Sequence, residues 1–211
     1  MAEGTRERNK RDKLERAKKA ARELFARQGF EATTIRQIAE HAGIGLGTLY
    51  SHVQTKHELL DLVFLDEWGR VEDEAYASLP EGARLVDAFL HVCEAMLAHY
   101  ARDPEMSRVY VRETMFPGAG DMGPRMERQG RILQRLAGLV ERAQQRGEVD
   151  RQVDPLSAAA NLFGLYVFNL SLWLSGKRGL EDSRVALRTS LELQWRGLRP
   201  DAPPNGRKSR N

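Results

Sequence analysis

The chain has a single cysteine, Cys93, among 211 residues. That scarcity excludes an intramolecular disulfide and any zinc site built on several cysteines. Cys93 falls in an apolar helical pattern, where a buried structural thiol is expected. The sequence also has no HExxH, no GxSxG, no phosphate-cradling GxxxxGK and no close cluster of histidines and carboxylates on one helical face. Gly43, Gly45 and Gly47 give only GxGxG, preceded by a helical pattern where a dinucleotide fingerprint needs a strand. His91 and Cys93 stand two apart and so diverge on a helix. An enzyme is therefore the disfavoured class. The N-terminus is charged from Glu3 to Lys19 without an apolar stretch, which excludes a signal peptide or anchor there and predicts a cytoplasmic protein. No segment alternates apolar and polar residues as a half-buried strand would, so the predicted fold class is all-α.

One uncharged run stands out, residues 155–176. It is long enough to span a bilayer. Asn161, Asn169 and three serines within it, and the lack of a second such run, favour instead a core helix of a protein that does not enter the membrane. A helix apolar nearly all round needs partners on both sides. We expect a second copy of the chain to cover one of them, with Leu187, Leu191, Trp195 and Leu198 of the last helical pattern joining an isologous four-helix interface.

Charge is uneven along the chain. Residues 1–60 hold 12 Lys or Arg against 8 Asp or Glu, while the remainder holds 21 against 22. The modest positive offset at the start suits a phosphate partner for the first sixty residues only. The opening GTRERNKRDK has no apolar face and is expected to stay mobile until DNA is present. A helix from about Asp12 to Gln28 follows, with Leu14, Ala17, Ala21, Leu24 and Phe25 on one stripe and Gly29 just past its end.

The most informative stretch is Thr33 to Leu60. Ile35, Ile38, Ala39 and Ala42 recur at helical spacing behind Thr33 and Thr34 as N-cap candidates, and Gly43 supplies a residue able to take positive φ at the helix end. A second short helix is predicted from Gly45 to about Val53, with Leu49 and Val53 inward and Gly47, Thr48, Tyr50 and Ser51 outward. Two short helices crossed at a glycine turn, the second with a small, hydroxyl-rich face, have the shape of a major-groove reader. Thr48 and Ser51 can bond to bases or phosphates, and Tyr50 can set its ring on a thymine methyl and its hydroxyl on a phosphate. Lys56, at the start of the next helix, is placed to hold a phosphate with the free N–H groups there.

Gly47-Thr48-Leu49-Tyr50 followed by His52, Lys56 and Glu58-Leu59-Leu60, with Thr33-Thr34, Ala39 and Gly43 before it, resembles the TetR (AcrR-type) family of bacterial transcriptional regulators. The close match covers roughly residues 12–62. The resemblance implies that Thr34 and Ile35 meet the DNA backbone, that Arg36 contacts a base or phosphate, and that Leu46, Gly47, Thr48, Tyr50, Ser51 and His52 form the recognition helix with Lys56 as phosphate clamp. This chain departs from the pattern at Gly45, Leu46 and Val53, where many members carry Ser, a basic or polar residue, and Phe. It further implies a dimeric repressor of a palindromic operator, with double-stranded DNA, a second copy and a small-molecule effector as partners, and no cofactor, metal or membrane.

Domain boundaries are expected at 1–55 for the DNA-binding module, 56–198 for a ligand-binding and dimerisation domain, and 199–211 for a disordered tail. The larger domain reads as helices over about 56–77, 83–101, 104–116, 125–146, 155–175 and 182–197, with residues 117–124 as a loop. Phe64, Trp68, Met96, Tyr100, Tyr110, Phe163 and Tyr166 could line a ligand cavity or simply fill the core, with Glu113 and His99 as candidate polar contacts. The rival is an architectural DNA-binding protein with no effector, which predicts a filled core.

Overall fold

The computed structural model describes residues 4–115 and 123–200. Among them are nine α-helices and no strand: α1 (Thr5–Gln28), α2 (Ile35–Ala42), α3 (Leu46–Tyr50), α4 (Lys56–Ala77), α5 (Leu85–Arg102), α6 (Pro104–Met115), α7 (Gly123–Gln145), α8 (Pro155–Leu174) and α9 (Leu180–Leu198). The all-α reading holds. Contacts divide the chain into two units, one running to Glu74 and resuming from Met96 through α6, the other made of Ala75–Ala95 with α7, α8 and α9. Most of the tail expected after 198, and the first part of the expected 117–124 loop, lie outside the described residues.

In the first unit α1 carries the core stripe the spacing predicts, with Ala17, Ala21, Leu24 and Phe25 buried. Phe30 turns back onto Phe25, ring centroids 5.1 Å apart, and Ile38, Leu49, Val53, Leu59 and Leu60 complete the core. Each such side chain contributes about 1.5–3 kcal/mol through removal from water. The α1–α2 connection is pinned by buried Thr33, whose hydroxyl donates to the Gly29 carbonyl at 2.7 Å and accepts from the Gln28 side-chain amide at 3.2 Å. One expectation fails here: α1 begins at Thr5 rather than about Asp12, so the charged opening is helical. Its Arg, Lys and Glu residues are good helix formers, and that propensity suffices without an apolar face.

The second unit is organised by α8, which packs against both α7 and α9. Asp154 caps it, its carboxylate accepting the Ser157 N–H at 2.8 Å, and Pro155 fits the first turn where no N–H is needed. Ala158, Ala159, Leu162, Tyr166, Leu170 and Leu174 are buried, together with Asn169, whose side chain bonds the Leu165 carbonyl and the Arg178 guanidinium. By length and composition this is the one described helix able to cross a membrane. Its burial is one-sided, since Phe168 is 61% and Leu156 41% exposed. The face of α9 differs from expectation as well: Leu187, Leu191 and Leu198 are buried within the unit, and Val185 and Leu193, each 68% exposed, are what α9 presents outward. Finally, α7 starts at Gly123, two residues before the helix expected from Arg125.

Candidate nucleic-acid interface

Local chemistry builds α2, the turn and α3 almost residue by residue. Thr34 and Gln37 cap α2 reciprocally: the Thr34 hydroxyl accepts the Gln37 N–H at 3.2 Å, and the Gln37 side chain accepts the Thr34 N–H at 2.9 Å. At the other end Gly43 adopts φ 62°, ψ 40°. Its N–H bonds the Glu40 carbonyl and that of Ile44 the Ala39 carbonyl, the paired bonds that close a helix on a left-handed residue. Arg16 of α1 then takes up the carbonyls of Ala42 and Gly43. A cation at a helix C-terminus also offsets the dipole there. The turn is thereby fixed to α1 as well as to α2.

From Gly45 the chain enters α3. Leu49 is fully buried and Val53 nearly so, which orients the helix. Gly47 and Ser51 are exposed, Tyr50 is 43% exposed, and Leu46, Thr48 and His52 are half-buried at the edge of the same surface. Thr34 and Arg36 are exposed and Ile35 half-buried at the start of α2. The helix ends at Tyr50, earlier than expected. Ser51 is responsible in part, donating its hydroxyl to the Thr48 carbonyl at 2.7 Å, while the Gln54 side chain takes the Tyr50 carbonyl at 2.9 Å. The Ser51 hydroxyl is thus left as an acceptor for any further partner.

Lys56 needs the largest revision. Its ammonium donates to the Phe30 carbonyl at 2.6 Å and the Glu31 carbonyl at 3.3 Å, and lies 4.2 Å from the centre of the Phe30 ring. Its first task is internal, tying the start of α4 to the α1–α2 turn, and one of its three N–H bonds is left over. Thr55 and Glu58 cap that same start, accepting the N–H groups of Glu58 at 3.0 Å and Gln54 at 2.6 Å.

Sequence reasoning missed two cations. Burial lowers the His52 imidazole below its ordinary value, and the ammonium groups of Lys10 and Lys13 push the same way. These exposed lysines of α1 are therefore within electrostatic reach of His52, just past the end of α3, and α3 itself carries no acid. The signal was the basic run of the opening segment, which a mobile reading leaves unplaced.

This geometry is shared with known proteins. The family profile described as "Bacterial regulatory proteins, tetR family" matches residues 19–63, the span from α1 to α4 just described. The HTH-type transcriptional repressor KstR of Rhodococcus jostii is 24% identical over 170 residues, 81% of this chain and 76% of the relative. Over residues 19–63 the chain is thus similar to the tetR family of bacterial regulatory proteins. Over a shorter stretch the identity rises: the HTH-type transcriptional repressor KstR2 of Mycobacterium tuberculosis is 38% identical over 84 residues, 37% of this chain and 42% of that one. Over most of the chain, the crystal structure of the transcriptional regulator FadR from Bacillus subtilis in complex with stearoyl-CoA superposes with a TM-score of 0.71 at 21% identity, covering 87% of this chain and 98% of FadR.

The residues expected around an effector are not gathered at one opening. In the first unit Phe64 and Tyr110 stack in parallel with centroids 3.9 Å apart, Tyr100 lies 5.6 Å from Phe64, and Trp68 Nε1 donates to the Tyr100 hydroxyl at 3.2 Å. With Met96 buried as well, these side chains fill a core. The adjoining space, bordered by Phe64, His99 and Arg22, is about 40 Å³, enough for water but not for an organic ligand. Glu113 is buried and held by Arg112 at 2.9 Å and His57 at 3.4 Å, which corrects its reading as an orienting group for a ligand. Phe163 and Tyr166 lie in the second unit, on α8, 6.4 Å apart.

Proposed function

We propose that two copies of this chain bind a palindromic operator, each inserting α3 into a major groove, and that a small, largely apolar effector releases the complex. The observation that carries the reading is the outward face of α3: Leu49 and Val53 anchor the helix from below while Gly47, Thr48, Tyr50 and Ser51 remain accessible on a helix that carries no acidic side chain. Small residues let the backbone approach base edges, and the hydroxyls serve bases or phosphates. Thr34, Ile35 and Arg36 flank this face at the first turn of α2, with Leu46 and His52 at its edges and the remaining Lys56 N–H for a phosphate. Lys10 and Lys13 add to the non-specific attraction.

Dimerisation follows from the exposed Phe168, Val185 and Leu193 on α8 and α9, apolar side chains that a lone subunit would leave in water. A second copy on the same surface covers them, keeps α8 out of any membrane, and sets two reading helices about 34 Å apart, one turn of duplex. The effector is supported by a cleft in the second unit and by the shared fold of Bacillus subtilis FadR, solved with stearoyl-CoA. In this reading the protein is cytoplasmic and works by binding, not catalysis.

The test is fluorescence anisotropy of the purified protein with duplex from the region flanking its own coding sequence. Saturable binding that weakens linearly in log affinity against log salt, with specific sites preferred over random duplex, is expected. Failure to bind any duplex at low salt would overturn the proposal.

A further inference from the structure

The aromatic core of the first unit is filled, with about 40 Å³ of space beside it. In the second unit a cleft of about 420 Å³ opens where the end of α4, the turn into α5, and the last turns of α7 meet. Its volume lies within the roughly 300–1,000 Å³ range of small-molecule sites. One side of it is apolar, made by Leu79, Pro80, Leu85, Ala88 and Leu139, the last three of them buried, with polar groups among the rest of the lining. One lip is stiffened: the Ala83 N–H closes a turn on the Pro80 carbonyl at 3.2 Å, with Gly82 at φ 69°. Tyr76 forms a wall, one face of its ring covered by the Arg135 guanidinium at 4.0 Å.

Charge in the lining is positive on balance. Two arginines, Arg142 and Arg146, line the cleft against one acid, Glu81. Arg146 is partly committed, its Nε on Glu148 at 2.7 Å and its Nη2 on the Ala83 carbonyl at 3.1 Å. Glu148 in turn uses its other oxygen to cap α5, accepting the Leu85 N–H at 3.0 Å, so both of its oxygens are taken. Arg142, exposed and one turn before Arg146, has no hydrogen-bond or ion-pair partner among the described residues. A guanidinium presents a planar fork that fits a carboxylate with two parallel bonds. Here that fork stands unused at the edge of the cleft.

We propose that this cleft binds a small amphiphile with one anionic head, a medium-chain carboxylate, its chain against Leu85, Ala88 and Leu139 and its head on Arg142. The proposal rests on the effector-regulated reading of the chain only for its biological purpose. Binding itself is measured on the protein alone, so a failure here leaves the operator reading standing, and a failure to bind DNA leaves this one.

The experiment is isothermal titration of the full chain with decanoate and, separately, with the uncharged 1-decanol. Saturable binding of one decanoate per chain is expected, at least tenfold weaker for decanol and at least tenfold weaker for Arg142→Gln. Arg131→Gln, an exposed arginine on α7 outside the cleft, is expected to bind as the parent does, which separates a specific head contact from general positive charge. Ala83→Phe, placed at the lip with its backbone contact to Arg146 retained, is expected to abolish binding while leaving the helical circular dichroism unchanged. No saturable decanoate binding, equal affinity for decanol, or an Arg142→Gln chain that binds as tightly as the parent would each overturn the assignment.

Discussion

Replacing Gly43 by alanine should uncouple the turn of the DNA-binding head from α1, and the size of the effect can be worked from the structure. At φ 62°, ψ 40° a side chain meets the left-handed penalty of roughly 1–2 kcal/mol. The added Cβ would also lie 2.8 Å from Arg16 Nη2, so the end of that side chain has to shift and its bonds to the Ala42 and Gly43 carbonyls are weakened or lost. Two such bonds at a largely exposed site contribute about 1 kcal/mol together. The expected loss is therefore about 2–3 kcal/mol, a substantial part of a total stability of about 5–15 kcal/mol. Urea unfolding followed by circular dichroism measures it. Arg16→Ala alone should cost about 1 kcal/mol, and in that background Gly43→Ala should cost only the backbone penalty of about 1–2 kcal/mol, so the double-mutant cycle should show a coupling near 1 kcal/mol. Strict additivity would refute the role assigned to Arg16, and a loss under about 0.5 kcal/mol for Gly43→Ala would refute the left-handed turn itself.

Three further outcomes follow from the same contacts. Lys56→Met should lower stability by about 1–3 kcal/mol because the Phe30 and Glu31 carbonyls lose a charged donor, while the salt slope of DNA binding should change by at most about 0.9; a larger slope change with unaltered stability would return Lys56 to a purely phosphate role. Phe168→Glu combined with Leu193→Glu should leave the fold intact and convert the protein to monomers in sedimentation, whereas an unchanged mass would place any interface elsewhere. The Ser157 side-chain and backbone contacts hold the Asp154 carboxyl below its ordinary value of 3.8, so its contribution is present above that pH and disappears as pH falls through the lower folded value; urea midpoints taken across this acid range should fall less steeply for Asp154→Asn than for the parent.

The head was legible because its determinants are local. Thr34, the spacing of Ile38, Ala39 and Ala42, and Gly43 each act within one or two turns, and all took their expected places. What escaped involves partners far along the chain or a choice between equivalent faces. Nothing near Lys56 in sequence announces that its ammonium will seek a carbonyl 26 residues earlier. Spacing put Phe64, Tyr100 and Tyr110 on facing helices but could not say whether their rings would part around a ligand or stack, and they stack. On α9, Leu187 and Leu191 make the more regular apolar stripe and were drawn inward for that reason; Val185 and Leu193, isolated on the other side, are the pair left exposed. Arg142 gave no signal at all, since an exposed arginine on an amphipathic helix is unremarked until its neighbours prove to be otherwise engaged.

The most direct measurement is a hydroxyl-radical footprint of the parent protein on its own flanking DNA, run beside Tyr50→Ala. The account predicts two protected patches on one side of the duplex about one helical turn apart, with Tyr50→Ala weakening the specific site by about 1–3 kcal/mol and random duplex by less. Protection of a single half-site, or equal loss on specific and random DNA, would contradict the paired insertion of α3.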